Sequence, residues 1–448
     1  MKKIIFRSII LFSISLLILI IYLSTIGIET EKFNNQISKQ IKKIDKNLDL
    51  ELKKVNLVLD PLKFEILAKT LGANLNYSEK KIQIESLKAK ISLKSLINKK
   101  PSLTNLNIST KSIKIKNLIS FLRLILKDPK LYLYEHFVKT GYLISEIYIE
   151  FDEEGNIKNN YEIKGFVKDG KINLFNRFDL SKMDFNFQLN EDLVTLNDLK
   201  LTLNENNIFI PNITGKKEKN KFLISGKIEN KKFTLSNDNL NNLNDLEIFD
   251  FKIKKVNFAS ENDFIFQIDD KFKIKNFKIN SNIDLDKLIL PNKFELNNIF
   301  PKLKKEIKLE KHQIKLSYES DNLTVEGFGQ ILLQKKDDKI QYKIIKNNKE
   351  INFETKFNTI NNPLKLNLLN YQKKPDTDLV INIKGKKFSN ENFFFKKINL
   401  LEEKNNISIN NLSLTKDNKI KEFDLINLNY LDKQNLKNKI KIFKKNEY

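Results

Sequence analysis

From residue 80 onward, apolar residues recur at every second position, and that period leaves few folds open to the chain. Ile82 and Ile84, then Ala89, Ile91 and Leu93, alternate with Gln83, Lys90 and Ser92, and Ile113 and Ile115 flank Lys114. The same rhythm runs through residues 142–151, 185–189, 199–203, 222–228, 253–258, 264–268, 272–279, 314–318, 340–345, 379–383 and 407–414. Successive side chains of an extended strand point to opposite faces, so each stretch predicts a strand with one apolar and one polar face. Asn, Asp, Gly and Lys clusters separate them, as antiparallel hairpins require. On the order of twenty strands follow, at the short spacing of a meander.

The apolar face of such a sheet has to be covered. A β-sandwich covers it with a second sheet and makes it a dry core. A long antiparallel sheet curled into an open groove covers it with a ligand, and acyl chains suit that role. Candidate groove residues are Ile82, Ile84, Ile91, Leu93, Ile113, Ile115, Phe185, Phe187, Leu199, Leu201, Phe264 and Phe266. Each is equally an ordinary core residue, because register decides which face is covered.

The N-terminus adds a membrane. Lys2, Lys3 and Arg7 precede a stretch from Ser8 to Ile28 that carries no charge and is dominated by residues such as Ile9, Leu11, Phe12, Leu16, Leu17, Leu19, Ile21 and Leu23. About 20 apolar residues at 1.5 Å each cross a hydrocarbon core of roughly 30 Å. The stretch is longer than a signal-peptide core and no small-residue cleavage pattern follows it, so it predicts an uncleaved single-pass anchor over residues 1–28. The cationic end stays cytoplasmic and the rest of the chain lies on the far side. Residues 29–56 form a juxtamembrane helix or linker, with Phe33, Ile37, Ile41, Ile44 and Leu48 at helical spacing. Residues 57–448 form the β-rich body, with a possible subdivision near 285–310. A few short helices interrupt it. Asp60-Pro61 predicts a helix over 62–70. Leu118, Phe121, Leu122 and Ile125 predict a second over 117–126, stopped by Asp128-Pro129, and residues 132–140 continue it to Gly141 at C′.

Composition narrows the function. The chain has no cysteine, which excludes disulfides and thiolate chemistry. It has two histidines, His136 and His312, far apart and beside no evident nucleophile, and both read as partly exposed. There is no phosphate-binding Gly-rich loop, no G-x-S-x-G and no pair of metal-spaced histidines. The acidic clusters 152–154 and 269–270 read as solvated hairpin tips. The expectation is a protein that is not an enzyme and uses no cofactor or metal. The formal charge is +24, from 80 Lys+Arg against 56 Asp+Glu, yet the only arginines are Arg7, Arg123 and Arg177. Bidentate phosphate and base contacts favour arginine, and the lysines are interleaved with acids as on a solvated face, so nucleic acid is not the expected partner. A general attraction to anionic headgroups remains.

Residues 57–118 carry a resemblance. Leu59-Asp60-Pro61-Leu62, Leu71-Gly72-Ala73, residues 81–87, then Ser92-Leu93-Lys94-Ser95-Leu96 and a strand from Leu103 to Ile115 follow one another. This course resembles the N-terminal region of AsmA-like proteins, in which a strand, Ser-Leu-x-Ser-Leu, a small loop and a further strand follow a membrane anchor. The helix near 118–126, the hairpins at 183–203 and 222–235, and Gly327-Phe328-Gly329 before a strand resemble the YhdP-type branch, whose members are usually much longer. The resemblance implies a taco-shaped β-groove reaching from the bacterial inner membrane into the periplasm. It also implies phospholipid transfer towards, or lipid homeostasis of, the outer membrane. It brings no catalytic residue. A scaffold or assembly factor for outer-membrane proteins, docking a client by strand addition, is the alternative.

Overall fold

Residues 2–31, 34, 38, 42, 45–93, 103–152, 157–174, 178–203, 206–219, 221–236, 253–269, 273–292, 296–390 and 392–444 are described in a computed structural model. The charge-free N-terminal stretch is one helix, α1 (Lys2–Thr25), long and apolar enough to span a membrane. Its large apolar side chains are exposed around most of its circumference, Leu11, Phe12 and Leu17 by 60% or more. The rest is mainly β and divides into two compact units, residues 1–204 with 212–218, and residues 205–211 with 219–448.

The strands of the first unit are β1 (Ile28–Thr30), β2 (Leu48–Glu51), β3 (Val55–Asp60), β4 (Glu65–Leu71), β5 (Asn74–Tyr77), β6 (Lys80–Ser92), β7 (Leu103–Thr110), β8 (Ile113–Lys114), β9 (Val138–Glu150), β10 (Glu162–Leu174), β11 (Phe178–Leu189) and β12 (Leu193–Leu203). Antiparallel pairing runs β1–β3–β4–β6–β7–β9–β10–β11–β12, with β2–β5 laid on the first half of β6 and β8 on β9. Helices α2 (Ile115–Leu126) and α3 (Lys130–Phe137) fill the β8–β9 connection. The amphipathic face of α2 packs Phe121, 2% exposed, on Leu48, Tyr77, Ile82 and Ile113. A neighbouring core joins Leu50, Val55, Ala68, Ala73, Ile84, Leu87 and Ala89. Leu87 and Ala89 continue the face of Ile84 because a register shift between Ile84 and Ser86 moves the buried positions from even to odd numbers.

Strand β13 (Asn206–Glu218) follows. The second unit holds β14 (Lys221–Ser236), β15 (Lys255–Asp269), β16 (Ile274–Pro291), β17 (Glu306–Glu319), β18 (Asn322–Leu332), β19 (Asp338–Lys346), β20 (Glu350–Thr359), β21 (Lys365–Leu366), β22 (Tyr371–Gln372), β23 (Leu379–Phe388), β24 (Phe393–Glu402), β25 (Asn405–Leu414), β26 (Ile420–Glu422), β27 (Leu425–Leu431) and β28 (Lys437–Phe443). Each strand from β14 to β20 pairs with the next, β20 pairs with β23, and the ladder goes on through β24, β25, β27 and β28. This sheet is antiparallel throughout, as the alternation predicts.

Several local expectations give way. Residues 62–70 are not a helix: 61–64 are a turn, and Ile66, Ala68 and Thr70 alternate as the buried side of β4. Pro61 starts a turn as readily as a helix, and the period of two decides. In the juxtamembrane stretch, residues 32–33, 35–37, 39–41 and 43–44 lie outside the described residues and Asn34, Ser38 and Lys42 are helical, but Leu48–Glu51 is strand β2 and not helix, paired with β5. α3 stops at Phe137, where β9 begins, so Gly141 is no helix cap. It sits inside β9 at φ +135, where an added Cβ would stand 3.1 Å from Gly170 Cα, a close approach that glycine permits. The 222–235 hairpin is one strand, β14, with a register shift between Asn230 and Phe233. Likewise 255–258 and 264–268 belong to a single strand, β15.

Candidate functional site

In the second unit, pairing places Ile283, Ile314, Gly327, Tyr342, Thr355, Ile383, Ile398, Ile409, Ile426 and Ile442 in one line across ten strands. A parallel line on the same face runs Leu316, Val325, Ile344, Phe353, Gly385, Phe395 and Leu412. A third runs Ile340, Phe357, Ile381, Leu400, Ile407, Leu428 and Ile440. Nearly every member is apolar, yet most of the first two lines are only half-buried. The opposite face is charged: Lys315, Glu326, Lys343, Glu354, Lys384 and Lys397 stand in line, with Lys343–Glu326 at 2.7 Å and Lys384–Glu354 at 2.9 Å. Two shallow clefts, of about 920 and 500 Å³, open between such rows on that polar face.

Two connecting segments cover one end of the apolar face. Residues 296–304 bring Phe300 edge-on to Phe357, and residues 360–378 bring Leu364 and Tyr371, both almost fully buried, onto Leu379, Leu400, Ile407 and Leu428. Lys365 N–H donates to Ile299 C=O, which ties the two segments together. Gln334 accepts from Lys302 N–H and donates to Pro363 C=O, so one buried amide also holds both. Glu402, 1% exposed, is the main anchor. It accepts from Tyr371 Oη (2.6 Å), Thr377 Oγ1 (2.6 Å), Lys374 N–H (2.8 Å) and Asn405 Nδ2 (3.0 Å). Burial alone would raise its pKa, but these donors outweigh it and hold the carboxyl below its usual range. Lys373 is buried nearby and donates to Ile360 C=O, its ammonium pKa lowered by burial against the pull of Glu402, Asp376, Asp338 and Asp378. Asp338 is buried under Asn362, which donates to it at 2.9 Å, and burial raises its pKa.

Gly327-Phe328-Gly329 finds its explanation on this face. Both glycines point at the apolar side of β18, and the neighbouring rings lie over them. A Cβ on Gly327 would sit 2.6 Å from Tyr342 Oη, and one on Gly329 would stand 2.8 Å from His312 Cα and inside contact distance of its ring. Strand glycine here makes room for a ring from each flanking strand. His312 is therefore buried, 1% exposed, where partial exposure is expected from sequence; only His136 is exposed. The His312 ring meets Gln330 C=O at 2.8 Å and Tyr342 Oη at 3.3 Å. Burial lowers the His312 pKa and pushes the Tyr342 phenol up to about 12.

The candidate groove residues fall into two groups. Ile82, Ile84 and Ile113 are less than 9% exposed inside the cores of the first unit, with Ile91 packed against them and Ile115 in the first turn of α2. Leu93 lies just past the end of β6. Phe185 and Phe187 are half-buried on the same face, beside the buried Leu199 and Leu201. Phe264 and Phe266 belong to the second unit, stacked at 5.8 Å and continued by Phe277 and Tyr318. Of the acidic clusters, Asp269 ends β15, pairs with Lys275 and accepts from Lys273 N–H, as at a hairpin tip; Asp270, Glu153 and Glu154 lie outside the described residues. The buried polar set of the covered end, with Glu402 and Lys373 at its centre, has no local sequence signal. No family model, curated protein or solved structure matches the chain.

Proposed function

We propose that this chain is a membrane-anchored lipid-binding protein whose second unit receives phospholipid acyl chains on its apolar sheet face. One observation carries the reading: a line of mostly apolar residues crosses ten strands, stays largely half-buried, and lies on a face that is covered at one end only among the described residues. Nine strand spacings of about 4.8 Å make that line roughly 43 Å long. An uncovered apolar face of this length marks a place where something else belongs. Each methylene it takes from water contributes about 0.8 kcal/mol. The charged face and its clefts are unsuited to tails.

The resemblance to AsmA-like, YhdP-type proteins supports the rest of the proposal. The membrane is the bacterial inner membrane, the N-terminus is cytoplasmic and the body periplasmic. The sheet is curled around its lipid, and the protein serves phospholipid transfer to, or lipid balance of, the outer membrane. A second reading, an envelope scaffold that binds a client protein by strand addition, draws on β28. Among the described residues its outer edge is unpaired, and Ile440 and Ile442 are more than 40% exposed. Lys437, Lys439 and Lys441 on the same strand are the charges that usually protect an edge from pairing.

Lipid mass spectrometry on the full chain purified in mild detergent tests the proposal. Phospholipid in about stoichiometric amount is expected, and it should be lost from a folded Ile383→Asp/Ile398→Asp variant. A folded wild-type chain free of lipid would sink the reading and favour the scaffold.

A further inference from the structure

The turn between β3 and β4 lies beside the outer end of α1, and its side chains are out of character for a water-facing hairpin. Leu62 is 93% exposed and Phe64 is 59% exposed. The turn is well fixed. Asp60 Oδ1 accepts from Lys63 N–H at 3.1 Å, and Phe64 C=O accepts from Leu93 N–H at 2.9 Å. Phe64 itself sits at φ +54, a left-handed conformation that a bulky residue rarely adopts. A defined backbone thus holds two large apolar side chains outward.

The register says where they point. The chain leaves α1 at Thr25 and enters β1 at Ile28, with buried Gly27 packed on Leu57 and Val58. Ile28 pairs with Leu57, and β3 is antiparallel to β1, so β3 runs back alongside the helix. Asp60 is three residues beyond Leu57, about 10 Å at 3.3 Å per residue. On the helix, Ile20, Leu23 and Ser24 are the half-buried positions of the outer half. Ile20 lies seven residues before Gly27, again about 10 Å at 1.5 Å per residue. The β3–β4 turn is therefore level with the last two turns of α1.

Those turns cannot stand clear of the bilayer. Between Arg7 and Glu29 the charge-free stretch has just the roughly 20 residues that a core of about 30 Å demands. With α1 spanning, its last two turns lie at the outer edge of the hydrocarbon, and the turn beside them lies in the interface. We infer that Leu62 and Phe64 are a membrane wedge: they enter the acyl–headgroup boundary beside α1 and seat one rim of the first unit on the bilayer, with Lys63 reaching back to the headgroups. The inference rests on α1 spanning the membrane and not on the lipid-binding reading.

The chain contains no tryptophan, so a single introduced one reports its own surroundings. The full chain is reconstituted in phosphatidylcholine–phosphatidylglycerol vesicles whose acyl chains carry bromine, which quenches indole on contact. Leu62→Trp and Phe64→Trp are read against Leu16→Trp inside α1 and Tyr132→Trp. Tyr132, 64% exposed on α3, lies at the opposite rim, because β9 leads from α3 to Glu150 and Glu150 is on the rim of Asp60 and Ser92. Quenching at 62 and 64 of about half that at 16 or more, with none at 132, is the expected result for side chains at this depth. Quenching at 16 but not at 62 and 64 overturns the wedge alone. No quenching at 16 overturns the anchor and the wedge together.

Discussion

Replacing Glu402 with alanine should release the segment that covers one end of the apolar face. The carboxylate accepts four hydrogen bonds, from Tyr371, Lys374, Thr377 and Asn405, in a site only 1% exposed. Three of these donors belong to residues 371–377, and Asn405 opens β25 and also accepts from Leu431 N–H. Truncation leaves all four without their acceptor, at about 1–3 kcal/mol for each one that water cannot reach. It also removes a countercharge from buried Lys373, whose ammonium is already disfavoured by burial. Breaking one side of a buried charged network costs about 3–5 kcal/mol as a whole, and that figure is safer than a sum of non-additive parts. For a unit of this size the loss corresponds to a fall in Tm on the order of 10 °C. The assay is thermal unfolding of the full chain by circular dichroism, paired with amide hydrogen exchange over residues 360–378. Glu402→Gln, which keeps the shape and part of the acceptor capacity, should fall between wild type and Glu402→Ala. A Glu402→Ala chain that melts within about 2 °C of wild type, with unchanged exchange in 360–378, would refute the reasoning, since a change that small is under 1 kcal/mol.

The buried rings give two further expectations. His312 has its pKa lowered by burial, so the unfolded chain binds its proton first. Its contribution is fully present above the unfolded value near 6.5 and is lost as pH falls towards the lower folded value. Part of the decline in Tm between about pH 7 and pH 5 should therefore vanish in His312→Phe, and parallel pH profiles for the two chains would contradict this. Gly329→Ala should cost about 1–3 kcal/mol, because the new Cβ meets His312, whereas Gly215→Ala, with nothing nearer than 3.9 Å, should be close to neutral; equal midpoints in urea for the two would remove the steric account.

The period of two made the strands legible because it is a local, covalent consequence of extended backbone. Ile340, Tyr342 and Ile344 on one face and Gln341 and Lys343 on the other follow it without help from the rest of the fold. Where local signals compete, the reading failed. Asp60-Pro61 suits a helix start and a turn equally, and only the pairing of β4 with β3 and β6 settles the matter. The breaks expected within 253–268 and 222–235 failed for another reason. Polar residues such as Asn230, Ser260 and Asn262 resemble turns in sequence, but here they bond to one another across β14 and β15 in the middle of a strand pair.

The site was legible in kind but not in place, and the difference is one of cover. Ile84 and Ile383 look alike in sequence, each an isoleucine in an alternating strand. Ile84 lies in the core that β2, β3 and β5 help to close, and Ile383 lies half-buried and mid-line on the same face as the covered cluster but outside it. What closes over a strand comes from distant segments, so the local pattern says that a side chain needs an apolar neighbour and not what supplies it. The same limit hid the covered end. Glu402, Lys373, Asn362 and Gln334 are polar residues in polar surroundings along the chain, and only the pairing of β20 with β23 and of β23 with β24 gathers them. Burying a carboxylate and an ammonium in a sheet otherwise lined with isoleucine is unfavourable unless every lone pair and proton is met, and Glu402 is met four times. Such a satisfied cluster resists being pulled apart, while the half-buried isoleucines beyond it have no fixed partner among the described residues.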